Sequence, residues 1–408
     1  MAAPRLKVLL AGSSFDGTDV GESFSAFRMV EALSRQCDLT VLCLQRHGRK
    51  PMAQQLPQAR VVTWAEPKIL RTRFERINAM LKPALPFAFR SMGRWAAKAQ
   101  ADGAGFDIAH QAAPQAMRYA SPFRSRPMPY VIGPLGGGLE TPQGFAGDVT
   151  EGGLQRRLRG LDGWRLAHDR ALRQGYMRAD LVLGVAPYIG DRLKAAMPIK
   201  RFEVMLERAH DGVMPVQTRT AEPGQLRLAH VGRVIRTKGL RDVIRAMGRL
   251  RDMPGITLTA AGDGPDLAAC KAEATALGLD DRIRFLGRIP RDEVDAVMGR
   301  ADVFAFPSFR EPMGGVLFEA LAWGLPIVTA ARGGPDYIVD DSCGIRLPAQ
   351  NPDQLATDLA ATLRDLAEDP DRRKRLEHGA RARLLSFGSW DDKAAQLISL
   401  YHDVLARA

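Results

Sequence analysis

The sequence predicts an α/β protein of two doubly wound parallel-sheet domains, and three observations predict it. Its 408 residues are more than one typical hydrophobic core organises. Short apolar runs alternate with amphipathic helical stretches through both halves, the pattern of parallel sheets covered by helices. A polar, proline-containing stretch, Glu207 to Glu222, separates the halves. Hydrophobic residues make up 46% and charged residues 25%, the balance of a soluble globular chain. No apolar run approaches the roughly 20 residues of a spanning helix.

In the first half the apolar runs Leu6 to Leu10, Leu39 to Leu44, Arg60 to Thr63, Asp107 to Ala109, Tyr130 to Ile132 and Leu181 to Val185 read as strands. Helices are expected at Ser23 to Arg35, Pro114 to Tyr119 and Pro187 to Ala196. The second half repeats the alternation. Strands are expected at Leu226 to Val231, Thr257 to Ala261, Ile283 to Leu286, Val303 to Phe306 and Ile327 to Ala330. Helices fall at Leu240 to Arg251, Pro265 to Leu277, Arg291 to Gly299, Gly315 to Ala322 and Pro352 to Glu368, two of them opening on a proline. A last helix from about Trp390, closed by Tyr401 and Leu405, is expected to pack back on the first domain. The expected domains are therefore residues 1–206, residues 207–388 and the returning helix 389–408.

The net charge of +12 belongs to the first half. Residues 1–205 hold 30 Lys plus Arg against 17 Asp plus Glu, and residues 206–408 hold 28 against 29. Much of the excess lies in Lys68 to Lys98 and Arg156 to Arg178, where basic residues interleave with Phe74, Leu81, Phe87, Phe89, Trp95, Leu158, Leu161, Trp164 and Leu166. Such interleaving suits an anionic membrane surface, and equally an amphipathic helix with solvated arginines. No zinc-finger or RNP signature appears, so nucleic acid is not the expected partner. Cys37, Cys43, Cys270 and Cys343 lie in no CxxC spacing and are expected to be reduced thiols in the cytoplasm. Val8 to Gly12 reads as a first strand and not as a signal peptide.

The most informative segment is Pro307 to Gly334, PSFREPMGGVLFEALAWGLPIVTAARGG. It sets Glu311 just outside a glycine-marked helix start and Glu319 more than a turn inside it. Carboxylates accept from pairs of hydroxyls, and a helix beginning near Gly314 and Gly315 offers unsatisfied amides to an anion. A nucleotide sugar needs both. By itself the pair is equally a helix-capping Glu311 and a solvated Glu319. Loops beyond the carboxyl ends of parallel strands are where ligands bind, and the loop after the second half's first strand carries Arg233 and Lys238 between Gly232 and Gly239. Two cations there suit a diphosphate. The turn Gly262 to Pro265, containing Gly264, and Phe285 to Gly287 end later strands.

The ordered set of these pieces resembles the donor domain of family 4 glycosyltransferases with the GT-B fold over residues 207–346. The set comprises Gly232, Arg233, Lys238 and Gly239; Gly262 to Pro265; Phe285 to Gly287; Asp302 to Ser308; Glu311 with Glu319; and Gly333 with Gly334. The family commonly has Gly-Phe-Gly after its first glutamate, where this chain has Pro312-Met313-Gly314. The resemblance implies two Rossmann-like domains facing across a cleft. It implies that Arg233 and Lys238 bind the donor diphosphate, that Glu311 meets the sugar and Glu319 the ribose, and that Gly264, Gly314 and Gly315 line the donor.

The first half matches less well. Gly137 and Gly138, in Gly133-Pro-Leu-Gly-Gly-Gly138, let backbone approach the diphosphate or form a surface turn. The loop Ala11 to Gly21 lacks GxGxxG spacing. His110 sits where the family often shows His-x-His, but Ala112 replaces the second histidine, so His110 is either a catalytic-site residue or a satisfied buried histidine. The reaction implied is retaining transfer of a hexosyl group from a nucleoside diphosphate sugar co-substrate, without a cofactor or metal. The basic first half suggests a membrane lipid or lipid-linked glycan acceptor, as in lipopolysaccharide, exopolysaccharide or glycolipid synthesis, and peripheral attachment to the inner face of the cell membrane. The competing expectations are a sugar-nucleotide epimerase of the same architecture and a non-catalytic protein that binds membrane or nucleic acid.

Overall fold

The computed structural model describes residues 5–19, 21–149, 153–216, 219 and 222–408. Two compact units are present. The first holds residues up to Gly138, Gly153–Ala209 and Trp390–Ala408, and the second holds Leu139–Gly152 and His210–Ser389.

Unit 1 starts with β1 (Lys7–Gly12), α1 (Glu22–Gln36), β2 (Asp38–Gln45), α2 (Met52–Gln55) and β3 (Arg60–Ala65). Three helices follow, α3 (Lys68–Thr72), α4 (Glu75–Leu81) and α5 (Leu85–Ala101), then β4 (Ile108–Gln111) and β5 (Tyr130–Leu135). The unit continues with α6 (Gly153–His168), α7 (Arg170–Arg178), β6 (Leu181–Gly184), α8 (Pro187–Ala196) and β7 (Phe202–Val204). All seven strands are parallel, in the order β3-β2-β1-β4-β5-β6-β7. The chain first winds outward from β1 in one direction and then restarts on its other side at β4. Val8, Leu9 and Leu10 are fully buried, because a central parallel strand is covered on both faces.

Unit 2 repeats the plan with β8 (Leu226–Val231), α9 (Leu240–Arg249), β9 (Ile256–Ala261), α10 (Leu267–Ala276), β10 (Ile283–Gly287), α11 (Arg291–Arg300) and β11 (Val303–Phe306). It closes with α12 (Gly315–Ala322), β12 (Ile327–Ala330), α13 (Gly333–Ile338), β13 (Gly344–Leu347), α14 (Pro352–Glu368) and α15 (Pro370–Ser386). Its six strands run parallel in the order β10-β9-β8-β11-β12-β13. The sequence reading foresees neither β13 nor α15.

The last helix, α16 (Trp390–Leu405), belongs to unit 1. Trp390, Ala394, Leu397, Tyr401 and Val404 recur at helical spacing, and all five enter that unit's core. Arg35 of α1 donates to Asp391 at 2.5 Å.

Two sequence expectations need correction. No helix forms over Pro114 to Tyr119. The Gln115 amide is taken by the Glu22 carboxylate at 2.9 Å, its carbonyl accepts from Gly136 N at 3.0 Å, and Ala116 bridges Gly136. These backbone groups bond outward, so the local turn cannot close on itself. Residues 1–206 are also not one continuous unit, since Leu139–Gly152 clusters with unit 2. Phe145 is fully buried in the unit 2 core and stacks on Phe309 with ring centroids 4.0 Å apart. Asp148 accepts from Arg236 at 2.8 Å and from Arg245 at 3.1 Å. The side chains of Arg156, Leu158, Arg71 and Arg76, within the two basic stretches, lie outside the described residues.

Candidate functional site

In a doubly wound sheet the crevice forms where the strand order reverses, outside the carboxyl ends of the two strands that diverge. In unit 2 those strands are β8 and β11, paired through Val303 opposite Leu228 and Phe304 opposite Ala229. The loop leaving β8 is Gly232 to Gly239, and the loop leaving β11 is Pro307 to Gly314. The two richest motifs of the sequence therefore share one crevice.

Glycines make the approach possible. A Cβ on Gly239, whose φ is 82°, would lie 2.4 Å from the Pro307 carbonyl oxygen. Only a residue without a side chain lets the two loops press together there. Ser308 Oγ then donates to the Thr237 carbonyl at 2.8 Å, and Thr329 Oγ1 donates to the Phe306 carbonyl at 2.8 Å. On this frame Lys238 Nζ forms an ion pair with Glu311 and sits 5.6 Å from the centre of the Phe306 ring. Both side chains are largely covered, at 15% and 12% exposure. Arg233 is exposed, and among the described residues it has no carboxylate partner.

Gly314 caps α12 in the left-handed region, at φ 92°. Gly315 and Val316 open the helix, and their amides have no intrahelical acceptor by geometry. The pair Gly333 and Gly334 holds this corner from behind. Gly334 N donates to the Glu311 carbonyl at 3.1 Å, and a Cβ on Gly334 would fall 2.2 Å from the Met313 carbonyl oxygen. The diglycine thereby fixes the backbone that carries Glu311.

Packing within the unit by itself requires a glycine at Gly264. A Cβ there would meet the Val234 carbonyl oxygen at 2.3 Å, so its place is set by packing against the β8 loop. Glu319 pairs with Arg291 of α11 at 2.8 Å. No motif in the sequence singled out Arg291, because the first residue of an unremarkable helix carries no signal of its partner. Arg332 was also missed. It donates to the Phe309 carbonyl at 3.1 Å and to the Glu140 carbonyl at 3.0 Å, while Arg310 donates to Thr141 Oγ1 at 2.7 Å. These bonds tie residues 139–141 to the loop that bears Glu311.

Buried groups behind the crevice are neutral or paired. The Arg236 guanidinium meets Asp242 at 2.6 and 2.9 Å and lies over both Phe145 and Phe309, at 5.6 and 5.2 Å. His230 is fully buried, hydrogen-bonded through Nδ1 to the Ala305 carbonyl at 2.8 Å, and burial lowers its pKa to about 4. A carbonyl only accepts, so Nδ1 carries the proton.

The remaining candidates lie in unit 1. His110 is 1% exposed, with Nε2 2.6 Å from the Gly133 carbonyl and Nδ1 2.6 Å from the Tyr401 hydroxyl. The carbonyl fixes the proton on Nε2, so Nδ1 accepts from tyrosine. Burial lowers its pKa to about 4. Both nitrogens are engaged within the protein, the arrangement of a satisfied buried histidine, and His110 fastens α16 to β4. Gly137 and Gly138 have φ of 81° and 70° and offer their carbonyls to Tyr188 at 3.1 Å and Arg192 at 2.9 Å. The four cysteines are buried and free, and burial pushes the Cys43 thiol up to about 12. Among the described residues no helix is long and apolar enough to cross a membrane.

Comparison with known proteins places this geometry. Residues 217–383 match the family model for glycosyl transferases group 1. The chain is 33% identical over 189 residues to a glycogen synthase of Mycobacterium tuberculosis, covering 46% of this chain and 45% of that one. It is 35% identical over 187 residues to a D-inositol 3-phosphate glycosyltransferase of Corynebacterium glutamicum, covering 44% of each. The match thus spans less than half the length of these curated relatives. The fold extends further: the crystal structure of Anabaena Alr3699/HepE in complex with UDP and glucose superposes with a TM-score of 0.63 at 16% identity, covering 97% of this chain and 99% of that one. The chain therefore has the GT-B glycosyltransferase fold, and residues 217–383, in its second unit, are similar to the glycosyl transferases group 1 model.

Proposed function

We propose that the protein transfers a hexosyl group from a nucleoside diphosphate sugar to an acceptor hydroxyl, with retention at the anomeric carbon. The observation that carries this reading is the Lys238–Glu311 pair at the β8/β11 switch point, beside the open amides of α12. In the reaction the bond from anomeric carbon to diphosphate oxygen breaks, the acceptor oxygen bonds the same carbon, and the departing phosphate oxygen takes the acceptor proton. Charge grows on the leaving diphosphate. Lys238 and Arg233 neutralise it, with the amides near Gly314 and Gly315, and this needs no metal. Lys238 exchanges Glu311 for the diphosphate when the donor enters, which frees the Glu311 carboxylate for the sugar hydroxyls. Glu319 meets the ribose. The motif resemblance supports retention, and the basic first half supports a membrane lipid or lipid-linked glycan acceptor at the cytoplasmic face.

A thermal-shift series with sugar nucleotides, UDP-glucose first, tests the donor. Binding to the native state raises the melting temperature by mass action, and EDTA leaves the shift unchanged. No stabilisation by any nucleoside diphosphate sugar would refute the reading.

A further inference from the structure

Beyond donor binding, unit 1 carries a second cationic site that the reaction does not use. On α5, Phe87, Arg90, Ser91 and Arg94 follow one another at i, i+3, i+4 and i+7 and so share one face. The segment Pro122 to Arg126 runs against that face. A Cβ on Gly93 would lie 2.6 Å from the Pro122 carbonyl oxygen, so the helix meets this segment at backbone distance. Between them lies a groove of about 510 Å³ walled by Arg90, Arg94, Arg124 and Arg126, with Ser91 and Ser125. Phe87, 69% exposed, stands in its wall.

The groove contains no carboxylate. Several other arginines of the unit are neutralised by carboxylates: Arg118 by Asp162 at 2.6 Å, Arg165 by Asp169 at 2.7 Å, Arg201 by Glu203 at 2.8 Å. Among the described residues none of the four groove arginines has an ion pair. Arg124 donates to the Ser121 carbonyl at 2.9 Å, Arg94 reaches Ser91 Oγ at 3.4 Å, and Arg90 lies over the Phe87 ring at 6.0 Å. Arg126 Nε is buried with no hydrogen-bond partner. Four guanidinium groups around one hollow repel each other until an anion enters, and their forked donors match phosphate oxygens. The adjoining cavity of about 310 Å³ shares Arg90 and Arg124, but its own Asp162 and Asp169 are occupied by Arg118 and Arg165.

We infer that this groove binds the phosphate headgroup of an anionic membrane lipid, with Phe87 entering the bilayer interface. The inference rests on the membrane-lipid reading of the acceptor and names where the surface engages. An exposed phenylalanine at the rim of a phosphate site fits an amphiphile, and the compact hollow fits one headgroup better than a polynucleotide track.

The test is flotation of the full-length protein with vesicles of phosphatidylcholine alone or with added phosphatidylglycerol. Binding is expected only with the anionic lipid. R90Q/R94Q and R124Q/R126Q should each weaken it about thirtyfold, two charges being removed at the surface. K50Q/K194Q, removing two exposed lysines on other elements, should leave it unchanged. Equal loss in K50Q/K194Q would mean diffuse charge and overturn the site, as would equal binding to both vesicle types. Displacement by glycerol phosphate or by a single-stranded oligonucleotide would assign the groove to a soluble phosphate or to nucleic acid and overturn the lipid assignment. Circular dichroism confirms that each variant is folded. UDP-glucose stabilisation of R124Q/R126Q should match the wild type, so failure of donor binding and failure of lipid binding are read separately.

Discussion

Replacing Gly334 by Ala sets two effects of known sign against each other. Gly334 lies in α13 and its φ is not positive, so an alanine gains about 1 kcal/mol of helix propensity there. The added methyl, however, would sit 2.2 Å from the Met313 carbonyl oxygen and 2.3 Å from its Cα, where ordinary contact is 3.4–4 Å. Backbone on that side is not a flexible chain end, so the loop carrying Glu311 must retreat. Overpacking of this kind costs roughly 1–3 kcal/mol, which leaves a net loss of about 1 kcal/mol in stability. A displacement of roughly 1 Å at a positioning group costs on the order of 100-fold in rate, about 2.7 kcal/mol of activation free energy. G334A should therefore lose on the order of 100-fold in kcat while melting within a few degrees of the wild type. Gly147→Ala is the control, since a methyl there has no atom within 4 Å. The assay is transfer from the donor found by thermal shift, measured at saturation. If G334A turns over as fast as G147A, the diglycine does not hold Glu311 in a working position.

Two further outcomes follow from the same geometry. Arg233→Ala should abolish turnover without a stability cost, because its guanidinium is exposed and has no ion-pair partner among the described residues. Lys238→Ala should abolish turnover and also destabilise by about 1–2 kcal/mol, since the largely covered Glu311 is left unpaired. The double variant K238A/E311Q should regain stability in urea titration but not activity; full stability of K238A alone would contradict the ion pair. Acid provides a separate check on unit 1. His110 titrates at about 4 when folded and near 6.5 when unfolded, so its neutral form contributes stability that is complete above pH 6.5 and is lost as pH falls toward 4. The loss amounts to about 3 kcal/mol at pH 4. In Tyr401→Phe the unprotonated Nδ1 is left without a donor, which should cost about 1–3 kcal/mol already at neutral pH. An unchanged urea midpoint for Y401F at pH 7 would refute the His110–Tyr401 bond.

Much of the architecture is legible in the chain because parallel strands buried on both faces must be written as continuous apolar runs, which is why β1, β2, β6, β8, β11 and β12 stand within two residues of their expected bounds. The same logic exposes α16, whose apolar residues recur at helical spacing. Pro114 to Tyr119 misleads for the opposite reason. Its conformation is decided by partners more than 20 residues from Gln115, the Glu22 carboxylate that accepts from it and the Gly136 amide that donates to it, which no local pattern reveals. The segment Leu139–Gly152 misleads in the same way: its allegiance to unit 2 depends on Phe145 finding Phe309 and Asp148 finding Arg236.

By itself the sequence determined the two doubly wound sheets and the order of the loops around Arg233, Lys238, Glu311 and Glu319, because strand burial and glycine turns are local properties of the chain. Tertiary structure alone decided how those residues are employed. The reversal of strand order at β8 and β11 brings Lys238 onto Glu311, Arg291 takes Glu319, and Tyr401 closes the second nitrogen of His110. Each of these is a pairing between side chains far apart in sequence. A charged or titratable group takes its role from whatever the fold places within about 3 Å of it, and the fold, unlike the spacing of residues, is a property of the whole chain.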